Sequence, residues 1–274
     1  MSKWIQLRAS ASRSPLRAPI LWARHLGLDI SDVFLASYPR SGNTLLGFTL
    51  AELLSRVPCT FENVQRIVPE IGVHGEAFPL LPGGGRLIKT HERYRTQYRR
   101  AIYIVRDVRD VLLSSFGRQS AMGLLNGSNL DHYIEPFLQG RMSRWGAWQD
   151  HVEQWLHSPL AQNGNLLVLH FEQILGNVED ALARILQFLS IPANSAAIHQ
   201  AAFNNTIEKM RDKEFVSATL PRTESAAGRL VNSGTVNGWR NRLSCDQLSL
   251  VEKYAGKTLA RLGYTTQAAE SVAS

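Results

Sequence analysis

The stretch L-I-K-T-H-E, residues 87–92, sets a cation and a base two positions apart, Lys89 and His91. In an extended chain residues i and i+2 face the same side. A histidine that removes a proton from an acceptor, beside an ammonium that stabilises developing negative charge, suits group transfer. A second stretch, Y-P-R-S-G-N-T at residues 38–44, follows an apolar run and precedes a helical pattern. Gly42 lets the backbone approach a ligand closely. The N–H groups of a helix start, with the helix dipole behind them, attract an anion. Arg40 adds a charge-assisted donor and Thr44 a hydroxyl. Against the nucleotide-binding pattern G-x-x-x-x-G-K-[ST], Ser37 stands at the first glycine and Asn43 at the lysine. The group that reaches the β- and γ-phosphates of ATP is therefore missing, and the loop fits an anion better than it fits ATP hydrolysis.

A third stretch, Y-I-V-R-D-V-R-D-V-L-L-S-S-F at residues 103–116, ends a strand at Val105 and delivers Arg106 and Arg109. Ser114 follows Arg106 by about two helical turns. An arginine at a strand end and a hydroxyl from the next helix can grip one phosphate from two sides. The plainer alternative is two surface arginines bridged to Asp107 and Asp110.

These residues need elements to hold them. Val33–Tyr38, Arg86–Lys89, Ala101–Val105 and Leu166–Phe171 are β-rich and apolar without strict alternation, as expected of strands buried on both faces. Helical patterns at Thr44–Arg56, Arg109–Phe116, Trp145–Leu156 and Val178–Leu189 lie between or after them. Strands alternating with helices predict an α/β fold with a central parallel sheet and right-handed crossovers. Gly75–Gly85, Gly117–Gly140 and Arg211–Asn237 read as loops, the last two as lids over a crevice at the strand ends. Their apolar residues Phe78, Leu80, Met122, Leu124, Tyr133 and Phe137 either wall a site for a hydrophobic hydroxylated acceptor or fold the loops onto the core.

Composition narrows the class. In 274 residues, 44% are hydrophobic and the net charge is +7, favouring an anionic partner. Cys59 and Cys245 stand alone, with no C-x-x-C or histidine pair, so neither a disulfide framework nor a zinc site is expected. No apolar run approaches the roughly 20 residues that span a bilayer, and a cytoplasmic location is the expectation. Residues 1–28 are basic, with Lys3, Arg8, Arg13, Arg17 and Arg24 and no acid before Asp29. They read as an arm or extra helix, with peripheral contact to a membrane as a further use. The remaining divisions are a main domain at 29–265 and a tail at 266–274.

Taken together, the three stretches resemble the PAPS-dependent (3′-phosphoadenosine-5′-phosphosulfate) sulfotransferases. Y-P-R-S-G-N-T is similar to that family's 5′-phosphosulfate loop, R-D-V-R-D-V-L-L-S to its 3′-phosphate motif, and K-T-H to its catalytic strand. G-A-W-Q-D-H-V-E-Q-W at 146–155 and G-T-V-N-G-W-R-N at 234–241 resemble two further family segments. The resemblance implies a single α/β domain with a P-loop-like nucleotide-binding core. It implies that Arg40, Ser41, Gly42, Asn43 and Thr44 hold the 5′-phosphosulfate, with Arg106 and Ser114 on the 3′-phosphate. His91 would be the general base, with Lys89 and Arg40 stabilising charge as the sulfuryl group passes to a hydroxyl, or less readily an amine, of a small-molecule or lipid-like acceptor. No metal is called for. Trp148 and Trp155 would brace the core, and His151, a rival base, would pack a helix. The chain departs from the family at Arg40 for Lys, Leu45 for the adenine-stacking Trp, and Phe171 for Tyr. Asn232–Ser233–Gly234 stands where Arg-Lys-Gly is usual, with Arg229 or Arg222 as substitutes. Two other readings stay open: a Mg-dependent P-loop small-molecule kinase, and a non-enzymatic anion-binding module. The arginines cluster at strand ends without a basic–aromatic platform, which speaks against a nucleic-acid partner.

Overall fold

The computed structural model describes residues 17–125, 127, 129–220, 229–231 and 234–264. Lys3, Arg8, Arg13, Arg222, Asn232, Ser233 and the tail at 266–274 lie outside the described residues. Four strands, β1 (Val33–Ser37), β2 (Leu87–Thr90), β3 (Ala101–Val105) and β4 (Leu166–His170), form a parallel sheet in the order β2-β1-β3-β4. Phe34 pairs with Ile88 on one side and with Ala101 on the other. Alternate strand residues serve two separate cores. Phe34, Ala36, Ile88, Ala101 and Tyr103 join one, and Val33, Leu35, Leu87, Ile102 and Ile104 the other. Both faces are covered, so the strands read as unbroken apolar runs.

The helices are α1 (Arg17–Arg24), α2 (Asn43–Ser55), α3 (Val64–Ile67), α4 (Val108–Ala121), α5 (Leu130–Leu138), α6 (Trp148–Leu156), α7 (Pro159–Gln162), α8 (Phe171–Gly176), α9 (Val178–Leu189), α10 (Ser195–Asn204), α11 (Ile207–Val216) and α12 (Cys245–Arg261). Helices α4, α5, α6 and α12 build the first core, and α2, α9 and α10 the second. The last three, α10 to α12, extend beyond the four helices that patterning outlines.

Residues 117–140 are not one loop. Helix α4 continues to Ala121, and α5 buries Tyr133, Ile134, Phe137 and Leu138. The Gly and Asn that suggest a loop instead punctuate it: Gly123, Gly127 and Gly140 take positive φ, and Asn129 caps α5 by accepting from the His132 N–H. Likewise α11 occupies the first part of the expected 211–237 loop. Helix α1 is docked. Arg24 donates to the Ile71 carbonyl at 2.8 Å, and Arg24 and His25 each lie 3.3 Å from the buried carboxylate of Glu92.

The strand order places the crevice. The chain leaves β1 toward β2 and leaves β3 toward β4, so the two connections diverge beyond the carboxyl ends of adjacent strands. An open α/β sheet binds its ligand at such a divergence.

Candidate active site

Beyond β1 the chain turns through Tyr38–Gly42 into α2. Arg40 (φ 72°) and Gly42 (φ 93°) both take left-handed backbone. A side chain at Gly42 would also run into the Phe171 ring, so this position needs glycine for conformation and for space. No side chain caps α2, which leaves its first N–H groups for an anion. Asn43, at the lysine position of a P-loop, turns into the sheet. Its amide donates to the Leu35 carbonyl at 3.0 Å, the Ser37 hydroxyl at 3.1 Å and the Thr90 carbonyl at 3.4 Å. It joins β1 to β2, and what it offers a ligand at the helix start is its backbone N–H.

One cavity of about 260 Å³ gathers the predicted residues: Arg40, Gly42, Asn43, Thr44, Leu45, Lys89, His91, Arg106, Ser114, Phe171 and Gly234 all line it. Ser41 does not, although its hydroxyl is buried without a partner among the described residues. The Arg106 guanidinium stacks on the Phe171 ring at 4.5 Å. It donates to the carbonyls of Arg40 at 2.9 Å and Thr235 at 3.0 Å, while its buried Nε has no partner among the described residues. Arg40 donates through Nε to the Ser114 hydroxyl at 2.9 Å and through Nη1 to the Leu230 carbonyl at 3.2 Å. Burial, then the charges of Arg118 and Arg106, push the Arg40 guanidinium down to about 10. A bound anion would relieve that repulsion.

The R-D-V-R-D motif divides. Arg106 faces the cavity, but Arg109 pairs with Asp107 at 2.7 Å and lies 3.6 Å above the Trp239 ring. Asp110 accepts from the N–H groups of Asn237 at 2.9 Å and Trp239 at 3.0 Å. The second half of the motif thus holds a distant loop. Arg118 is a cation that sequence reading missed. It lines the cavity one turn after Ser114, and that i+4 spacing was the available signal. Arg229 contributes its carbonyl, which accepts from Arg40 at 3.5 Å; the lining residues do not include it.

His91 sits just beyond β2. Its Nδ1 lies 2.9 Å from the Ser37 carbonyl. A carbonyl only accepts, so Nδ1 carries the proton and Nε2 the lone pair. Burial, and then the Lys89 charge, push the imidazole down to about 3, which keeps it neutral. Burial also lowers the Lys89 ammonium, an effect partly offset by Glu70. His151 is fully buried. Its Nε2 donates to the His91 carbonyl at 3.0 Å and its Nδ1 accepts from the Tyr103 hydroxyl at 2.9 Å. It holds the backbone of His91 and has no nitrogen left for a substrate. Trp148 and Trp155 are completely buried, and Trp155 donates to the Glu92 carbonyl at 3.1 Å.

A second cavity, of about 320 Å³, shares Asn43, Thr44, Lys89 and Leu230 with the first. Phe48, Phe61, Val64 and Val68 give it apolar walls, with Glu62 and Glu70 beside them. Its walls come from residues 61–70, outside the expected loops, and from Thr219, Leu220 and Leu230, within the expected 211–237 loop. Tyr133 and Phe137 are core residues, and Phe78 and Leu80 line a separate depression.

Residues 30–263 match the family model of the sulfotransferase domain. A 3-alpha-hydroxysteroid sulfotransferase of Cavia porcellus is 26% identical over 244 residues, covering 84% of this chain and 84% of that protein. Sulfotransferase 2A1 of Homo sapiens is 23% identical over 249 residues, covering 84% and 85%. Among solved structures, retinol dehydratase in a complex with retinol and PAP superposes with a TM-score of 0.67 at 20% identity, over 88% of this chain and 86% of that one. Mouse sulfotransferase SULT7A1 complexed with PAP gives 0.64 at 22% identity, over 86% of each chain.

Proposed function

The chain belongs to the sulfotransferase family, and from that premise we propose that it moves a sulfuryl group from PAPS to a hydroxyl of a small-molecule or lipid-like acceptor. One observation carries the reading. One cavity is lined both by a neutral histidine beside a lysine, His91 and Lys89, and by the cluster Arg40, Arg106 and Arg118. Unpartnered buried donors at Ser41 Oγ and Arg106 Nε, and a glycine cradle that a side chain would fill, fit a ligand with two separate anionic groups. PAPS supplies the sulfuryl group and departs as adenosine 3′,5′-bisphosphate.

In this reading the α2 N-terminus and Arg40 hold the 5′ end, and Arg106, Ser114 and Arg118 hold the 3′-phosphate. Phe171 keeps the Arg106 guanidinium in plane. His91 Nε2 takes the proton from the acceptor O–H as the new O–S bond forms. Lys89 stabilises negative charge on the departing oxygen. The second cavity, contiguous through Lys89, takes the body of the acceptor. The kinase reading loses its support at Asn43, whose side chain is committed to the sheet.

Thermal unfolding with adenosine 3′,5′-bisphosphate, against ADP and ATP plus Mg²⁺, tests the donor assignment. A ligand at 100 times its Kd adds about 2.7 kcal/mol of stability. The bisphosphate alone should give the large shift; a shift only with ATP and Mg²⁺ would overturn the reading.

A further inference from the structure

Lys89 and His91 stand at the edge of the sheet. In the order β2-β1-β3-β4, β2 is terminal, and an edge strand leaves backbone N–H and C=O groups without a strand partner. Among the described residues, the outer side of β2 is covered at one point. The Lys89 N–H donates to the Pro69 carbonyl at 2.7 Å, and the Lys89 carbonyl accepts from the Ile71 N–H at 2.8 Å. What fixes residues 69–71 therefore fixes Lys89. Helix α1 supplies it. Arg24 donates to the Ile71 carbonyl at 2.8 Å, and its side chain lies against Gly72 (φ 97°), where a Cβ would meet it at 3.3 Å. The same guanidinium reaches the far end of the strand: Arg24 Nε is 3.3 Å from the carboxylate of Glu92, the residue after His91. His25 Nε2 lies 3.3 Å from that carboxylate and 3.0 Å from the Tyr98 hydroxyl. Tyr98 stacks on Trp155, which donates to the Glu92 carbonyl at 3.1 Å. Both residues of this grip lie ahead of residue 30, where the match to the family model begins.

We propose that Arg24 is a positioning residue for Lys89 and His91. One side chain ties down both the stretch that covers Lys89 and the carboxylate that follows His91. The inference rests on the reading that these two residues carry the transfer. His25 and Arg95, the latter 2.6 Å from Glu92, hold the carboxylate alone; Arg24 spans to the other segment as well. His151 and Trp155 hold the carbonyls of His91 and Glu92 from inside the core, so Arg24 governs the outer side. Without it the two segments move independently. The His91 Nδ1–H bond to the Ser37 carbonyl, which leaves the lone pair on Nε2, then competes with other placements of the ring. Small misplacements of a reacting group are costly in rate. Arg24 does not line the donor cavity, so donor binding does not depend on it directly.

The test compares Arg24→Met and Arg24→Lys with the wild-type full chain. Met keeps a side chain over Gly72 and removes both polar contacts. Lys keeps the charge but has no fork with which to meet two partners. In amide hydrogen exchange, Arg24→Met should open the Ile71 and Lys89 amides about 10- to 100-fold more often, the range for a lost charge-assisted bond, and leave the β3 amides unchanged. Arg24→Lys should fall between. In nitrogen-correlated NMR of the histidine side chains, His91 is identified by its absence from the His91→Ala spectrum. It should show the single Nδ1–H tautomer in the wild type and lose it in Arg24→Met. Should Arg24→Met fail to fold, Arg24→Lys carries both readouts. The proposal is overturned if His91 keeps its tautomer, if the Ile71 and Lys89 amides are unmoved, or if the β3 amides accelerate by the same factor, since α1 would then add only general stability. The bisphosphate-induced thermal shift reports the donor reading separately. Its absence from the wild type would remove the assigned chemistry, while the tautomer still decides whether Arg24 places His91.

Discussion

Two buried histidines, one past the end of β2 and one on α6, differ in what their surroundings leave free. His91 and His151 are both held neutral by burial, near 3 and 4. His151 has both nitrogens bonded, one of them to the His91 carbonyl, whereas His91 spends only Nδ1 and keeps a lone pair on Nε2. Arg106 and Arg109 repeat the contrast three residues apart, one lining the cavity and one sealed against Asp107 and Trp239. Residue type and depth do not separate a chemical role from a structural one. The unspent bonding capacity does.

Removing the free lone pair should have the largest effect. His91→Ala should lower turnover about 10²- to 10⁴-fold while keeping the bisphosphate-induced thermal shift; near-normal turnover would remove His91 from the base role. The arginine pair comes next. Arg109→Ala leaves Asp107 buried without its partner and should cost about 3–5 kcal/mol of stability in denaturant titration. Arg106→Ala should instead weaken bisphosphate binding by about 10- to 100-fold, the range for a charge-assisted bond. If the two variants exchange these phenotypes, the division of the motif is wrong. His151→Phe strands the His91 carbonyl and the Tyr103 hydroxyl, and should cost about 1–3 kcal/mol with a smaller fall in turnover than His91→Ala.

The smallest effect concerns pH. His91 works neutral, so activity is lost as pH falls through its pKa. A bound anion raises that pKa by opposing the Lys89 charge. The acid limb of kcat should therefore lie at higher pH than that of kcat/KM for the donor; coincident limbs would break the assignment. Glu92 sharpens the contrast from the other side. Burial alone would raise it, but His25 and Arg95 outweigh burial and hold it near 2 against an ordinary 4.5. A depressed carboxylate contributes stability above its unfolded pKa and loses it as pH falls through the folded one. Glu92→Gln should flatten the acid limb of stability between those two values.

Much of this was legible beforehand because it rests on local pattern. The strands read as such because both faces are buried, and β3 matched residue for residue. Gly42, Arg40 and the Arg106–Ser114 spacing pointed, through backbone need and helical period, to residues that the fold gathers on one cavity. What failed depended on tertiary context. Asn and Gly flanking α5 mimic a loop, and only the buried stripe from Tyr133 to Leu138 shows why the segment folds. Asn43 gives no local hint that it joins two strands. Arg118 has no strand end to announce it. The second cavity is walled by segments that include Phe61 and Leu220, 159 positions apart, which no window can bring together.

The carbonyls of Arg229, Leu230 and Thr235 that occupy Arg40 and Arg106 have a kinetic consequence. A nucleotide phosphate bound as proposed would meet guanidinium groups several of whose donors are already engaged, Arg106 Nε excepted, so association would be in part an exchange of partners. The forward rate should then rise with nucleotide concentration only to a ceiling. That ceiling would be the rate at which the carbonyls of Arg229, Leu230 and Thr235 let go of the two arginines, and it would bound turnover however fast the sulfuryl group moves.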